Sequence, residues 1–206
     1  MKKGIKIFLI SIIIIVAIII IAILSNVIRN NCILQKLYES SKNIKDSVKN
    51  YYYEKTSELL EGETRTTTYK IYNYDNKYLI KEYYNDEGVV TTEWVDKNIP
   101  EQISIDERSK EESQEIKMKE FDKEYEEALF ASTIEDIGYS NVLTSNIFKP
   151  ISVENNCYVI HVKDTTMYVN MNTGIISKVF YGDGNITCTY KLKNNAVTES
   201  EVIKPK

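Results

Sequence analysis

The feature that most restricts this chain is residues 7–24, IFLISIIIIVAIIIIAIL, in which Ser11 is the only polar side chain. As a helix rising ~1.5 Å per residue it spans about 27 Å, against about 30 Å for the hydrocarbon core of a bilayer. A helix of a soluble domain would show a polar face. This run has none, so it is expected to cross a membrane. Lys2, Lys3 and Lys6 precede it without an acid, a layout that secretory signals share. Cleavage, however, needs small residues at the exit, and Ala22-Ile23-Leu24 ends on leucine. The run also outlasts the roughly 7–15 residues of a signal core. Cys32 follows Arg29-Asn30-Asn31, which lacks the apolar and small approach that lipidation of a cysteine requires. The expectation is an uncleaved signal anchor, with cleavage near Ser25 as the alternative.

Arg29, Lys36 and Lys42 flank the other side, so a count of positive charges nearly ties. The short N-terminal tail carries its charges close to the membrane, and a long C-terminal part translocates largely regardless of charge. Residues 1–6 are therefore expected to form a cytoplasmic tail, residues 7–24 the transmembrane signal anchor and residues 25–206 an extracytoplasmic domain. Residues 33–206 suffice for one domain with a core. The net charge is −4, and the first 32 residues hold four basic side chains and no acid, so the exported part carries −8. That argues against nucleic acid, whose phosphates demand clustered Lys and Arg, and against tight docking of the domain on anionic lipid heads. Sixteen tyrosines with seven glycines and three prolines fit an AT-rich bacterial genome and leave no long flexible linker.

Within the domain, Leu34, Leu37, Ser41, Ile44, Val48 and Tyr51 recur at helical spacing and predict a core-facing helix over residues 33–53, which continues from the membrane segment or bends just after it. Residues 64–95 are rich in Thr, Tyr, Val and Ile, with Asp75-Asn76-Lys77 and Asn85-Asp86-Glu87-Gly88 as turns. They predict three antiparallel strands, with another over 101–105, so that strands fill 64–105. Residues 106–127 hold ten acids against five bases but lack the alternating ligands and turn glycine of an EF-hand. Met118, Phe121, Tyr125, Ala128 and Leu129 share one helical face there, and residues 107–137 are expected to be helical, ending near Gly138. Residues 142–203 predict a meander of NCYVIHVK, TMYVNM, IISKVFYG, NITCTYKL and VTESEVI, with Asn172-Thr173-Gly174 among its turns. Reflection across those turns sets Cys188 opposite about Lys178, then about Tyr168, then about His161. Cys157 is then three strands away and out of register, too far for a disulfide.

No set of residues points to a reaction. His161, the only histidine, lies inside an apolar strand, and no G-x-S-x-G nucleophile motif occurs. Three scattered cysteines do not make a zinc site. No glycine-rich phosphate loop is present, and no cofactor is expected. Nothing selects a catalytic carboxylate pair, and Asn185-Ile186-Thr187 reads as turn chemistry rather than a glycosylation acceptor. The chain is not expected to be an enzyme.

The order of anchor, amphipathic helix, strands, charged helix and meander predicts an α+β fold. In it, a curved antiparallel sheet packs on one or two helices behind the transmembrane segment. This layout, with the hairpin TTMYVNMNTGIISKVFY at 165–181, resembles the lipoprotein-carrier and lipoprotein-sensor fold of the LolA and RseB group over residues 33–203. The transmembrane anchor departs from that group, whose carriers are soluble or lipid-anchored, and no ligand-contacting position carries over. The resemblance implies a non-enzymatic binder of acyl chains or lipoproteins in the hollow of the sheet. Ile71, Ile80, Val90, Trp94, Val159, Val169 and Ile176 are the candidates for the apolar side of such a sheet. A protein-interaction or sensory module at the cell surface, without a small ligand, is the alternative.

Overall fold

A computed structural model describes residues 2–58, 64–73, 78–85, 88–96, 101–106, 111–117, 132–182 and 186–204. Side chains are described for these apart from residues 2–5, 78–90, 101–102, 106, 111–117 and 186–187. The chain opens with one continuous helix, α1 (Lys2–Ser47). No side chain of its apolar run is buried, and all but Ile23 are exposed; by length and composition the run could cross a membrane. Further along, Asn30, Leu34, Leu37 and Ser41 are buried. Their spacing of four, three and four residues turns one stripe toward the core.

The strands that follow are β1 (Tyr51–Glu58), β2 (Thr64–Tyr72), β3 (Tyr78–Asn85), β4 (Gly88–Asp96), β5 (Glu101–Asp106) and β6 (Glu111–Lys117). A 3-10 turn at Ile134–Ile137 and the short helix α2 (Tyr139–Ser145) come next. The chain then forms β7 (Ser152–Glu154), β8 (Cys157–Val162), β9 (Thr165–Asn170), β10 (Ile176–Tyr181) and β11 (Ile186–Asn194). All eleven join one sheet in the order β6-β5-β4-β3-β2-β1-β11-β10-β9-β8-β7, and every pairing is antiparallel. Two meanders thus meet where β1 pairs with β11, the one pairing among the described strands that joins strands not consecutive in sequence.

Alternation of side chains gives the sheet two distinct faces. Tyr51, Tyr53, Ile71, Val95, Ile160, Met167, Val169, Ile176, Val179, Cys188 and Tyr190 form the main core with Leu34 and Leu37 of α1 and with Ile134, Val142 and Ile151. On the opposite face Trp94 packs with Val197 and Val202 of the C-terminal segment, beside Tyr52, Tyr72 and Ile103. The Trp94 indole Nε1 donates to the Val202 carbonyl at 3.0 Å.

Several expectations are corrected. The helix predicted to run to residue 53 stops at Ser47, and Tyr51-Tyr52-Tyr53 opens β1. The 3.6-residue spacing of Ile44, Val48 and Tyr51 continued the helical pattern, but three consecutive aromatics favour a pleated, half-buried surface. The reversal is tied by Asn50, whose Oδ1 accepts from Asn73 N at 2.8 Å and whose carbonyl accepts from Asn195 N at 2.7 Å. The span 107–137, expected to be helical, contains β6 and the 3-10 turn. A charged stretch suits an edge strand, where charge blocks further pairing, and i,i+4 charge pairs are indifferent to that distinction. Met118, Phe121, Tyr125, Ala128 and Leu129 lie outside the described residues. The meander placed over 142–203 starts only at Ser152, because residues 142–145 belong to α2. VTESEVI is no strand: Glu199–Glu201 form a 3-10 turn after a Thr198/Glu201 capping box.

The register around the cysteines lies within one residue of the expected one. Cys188 stands opposite Val179, Val179 opposite Met167, and Met167 opposite Ile160. A slip of one residue exchanges faces. Cys188 therefore points into the core, whereas Cys157, an odd number of residues from Ile160, lies on the other face. All three cysteines are free thiols.

The stretch of α1 just past the apolar run is fastened to the segment between α2 and β7. Asn26 Nδ2 donates to the carbonyls of Asn146 and Ile147, at 3.1 and 2.7 Å. Arg29 Nη2 donates to Ile151 O at 2.9 Å. The buried Asn30 donates to Asn146 O at 2.8 Å and accepts from Ile151 N at 3.2 Å. Asn146 in turn donates to Val142 O and His161 O and accepts from His161 N. One chain of amide contacts thus joins α1, α2 and β8.

Candidate apolar-ligand cavity

The core face of β8–β11 forms the floor of a cavity of about 500 Å³, and residues 132–145 pass over it. From the sheet come Val162, Thr165, Met167, Ile176, Val179, Tyr181 and Tyr190, with Lys163 from the β8–β9 turn; from the covering segment come Ser132, Thr133, Asp136, Ile137, Asn141, Thr144 and Ser145. The floor is mainly apolar and the cover mainly polar. This division suits an elongated molecule with an apolar body and a polar end.

Backbone hydrogen bonds set the height of the cover. Ile134 N donates to Gly174 O at 3.0 Å, and Ile176 N donates to Ser132 O at 2.9 Å, around an antiparallel bridge between Thr133 and Ile175. Thr133 and Asp136 then cap the 3-10 turn, the Asp136 carboxylate accepting from Thr133 N at 2.7 Å. Lys45 of α1 reaches that carboxylate at 2.8 Å and Glu135 at 3.6 Å. Such surface pairs contribute about 0–1 kcal/mol and act here mainly to orient. At the other end of the cover, Asn146 fastens α2 to β8.

Two tyrosines of the core face are held in the neutral form by their burial. Burial raises Tyr190, with nearby Tyr181 and Cys188 adding to the effect. Burial likewise raises Tyr53, against an opposing hydrogen bond with Ser132. His161 lies on the opposite face, in register with Thr166, and its Nδ1 meets Thr166 Oγ1 at 3.1 Å. Burial, then the charge of Lys149, lowers its pKa. The histidine therefore does not face the cavity. Among the described residues no group of three or more metal-binding side chains converges.

The structure divides the predicted apolar set. Ile71, Val169 and Ile176 belong to the main core, and of these only Ile176 lines the cavity. Trp94 sits on the opposite face beneath the C-terminal segment. Val159, buried and in register with Tyr168, also lies on that face. Ile80 pairs with Trp94, and the side chains of Ile80 and Val90 lie outside those described. The seven residues therefore do not share one side of the sheet. Sequence reading missed Val162, Met167, Val179 and Tyr190. Strict alternation from Ile176 would have selected Lys178, but a bulge between Ile176 and Lys178 turns Val179 inward instead. The residues of the cover carry no periodic signal at all.

No family model matches the chain, and no curated protein matches it in sequence.

Proposed function

We propose that the chain is a single-pass membrane protein with its N-terminus in the cytoplasm and its domain outside. There it binds the apolar chain of a lipid or lipoprotein without catalysing a reaction, as the LolA and RseB resemblance implies. The observation that carries this reading is the cavity, whose volume of about 500 Å³ falls within the roughly 300–1,000 Å³ of small-molecule sites. Its apolar floor would hold an acyl chain, while Asn141, Thr144 and Ser145 would meet the polar end. The exposed apolar run of α1 supplies the membrane attachment.

The test is photocrosslinking in native membranes with a fatty acid and a phospholipid carrying a photoreactive group in the acyl chain. Peptides containing Met167 and residues 176–179 are expected to carry label, and Val162→Trp should remove it by filling the cavity. Residues 7–24 must label in any case if they lie in lipid, which serves as the internal reference. Labelled anchor peptides with unlabelled cavity peptides would overturn ligand binding and leave the anchor standing.

A protein-interaction module remains the second reading because the sheet is open. Among the described strands β6 and β7 are its edges, and all three residues of β7 are exposed, a place where a partner strand can add. Protein crosslinks confined to residues 152–154, with an empty cavity, would favour it.

A further inference from the structure

Apart from the apolar run, the exposed large apolar side chains among the described residues are Ile28, Phe148, Val153, Tyr181 and Ile203. Ile28 lies on α1 about one turn past the apolar run, Phe148 in the loop that α1 clamps, and Val153 in the strand that follows. Phe148 is 78% exposed, and Lys149 and Pro150 beside it are also exposed.

The clamp fixes where this loop lies along the helix. Asn26 is two residues past Leu24, about 3 Å further on, and Asn30 about 9 Å. Between them they hold Asn146, Ile147, Lys149 and Ile151. If the apolar run fills the hydrocarbon core, that interval is the headgroup layer, about 5–8 Å deep on each side. Backbone enters a water-poor layer only when its polar groups are already satisfied. Here the carbonyls of Asn146, Ile147, Lys149 and Ile151 all accept hydrogen bonds from α1 side chains. An aromatic ring with a basic neighbour is the combination that membrane interfaces favour.

From this arrangement we propose that residues 147–150 form a membrane-contacting wedge. Phe148 enters the headgroup and upper acyl region of the bilayer that holds α1, and Lys149 meets lipid phosphate. The wedge gives the domain a second contact with the lipid surface, so that the domain cannot swing freely about α1. Thr144 and Ser145 of the cavity are separated from it only by Asn146, and the contact therefore sets the cavity rim beside the lipid. The inference rests on the membrane-spanning reading of α1.

Both readings are tested in one system, with the full chain reconstituted into phosphatidylcholine–phosphatidylglycerol vesicles containing brominated acyl chains. Phe148→Trp and Ile14→Trp each add an indole to that of Trp94, and quenching is read against the parent chain. The added emission of Phe148→Trp should be lost with bromines near the headgroup end, and that of Ile14→Trp with bromines near the bilayer centre. Quenching of Ile14→Trp alone, with a water-like and unquenched Phe148→Trp, overturns the wedge and leaves the anchor intact. An unquenched Ile14→Trp overturns the anchor, and the wedge with it.

Discussion

Gly174 closes the β9–β10 turn at φ +67°, and a Cβ there would meet the Leu37 carbonyl at 2.5 Å and the Ser41 hydroxyl. Ser41 Oγ is itself committed to Leu37 O at 2.6 Å, so the α1 side of the contact cannot turn away. Gly174→Ala is expected to cost about 3 kcal/mol from backbone strain and overpacking together. Thermal unfolding of the purified chain should show the loss. His161 supplies a pH prediction. Its folded pKa lies below the ordinary 6.5, so its contribution to stability is fully present above that value. It is lost as pH falls toward the folded pKa, because the unfolded chain then takes up the proton more readily. Denaturation midpoints measured from about pH 7.5 down to about pH 5 should fall, and His161→Gln should remove this part of the slope. At this scale the turn glycine could be named from the sequence, since Asn-Thr-Gly calls for a positive φ. The need for close approach by α1 could not, because it depends on a residue 133 positions earlier.

Individual elements were legible to the extent that they follow one period. The stripe Leu34, Leu37, Ser41 was visible as a helix face, and the strands of residues 64–95 and 157–192 were visible from their composition and turns. β1 was hidden because its tyrosines continue a helical spacing, and β6 because its charges suit a helix and an edge strand alike. The C-terminal segment was misread as a strand; its valines instead serve as a lid over Trp94. Removing residues 197–206 should uncover that indole, which is the only tryptophan in the chain. The loss of Val197, Val202 and the indole hydrogen bond is expected to cost about 3 kcal/mol. A red shift of the emission should accompany it. Unshifted emission from the truncated chain would mean that the segment does not cover Trp94.

For the whole molecule, the single exposed thiol reports which side of the membrane the domain occupies. Cys32 is exposed on α1 just past the apolar run, whereas Cys157 and Cys188 are buried. On the proposed topology a membrane-impermeant maleimide should label intact cells at Cys32 and reach the other two only after unfolding. Labelling of Cys32 only after lysis would reverse the orientation. The sequence by itself determined the long apolar helix, the α+β class and most strand positions, since hydropathy, period and turn chemistry are local properties of the chain. Only the tertiary structure decided the union of the two meanders through β1 and β11, the face to which each apolar residue turns, and the cavity beneath residues 132–145. Those depend on register, on one bulge, and on contacts such as Asn30 with Ile151 and Leu37 with Gly174. Their partners are distant in sequence, and no local pattern records them.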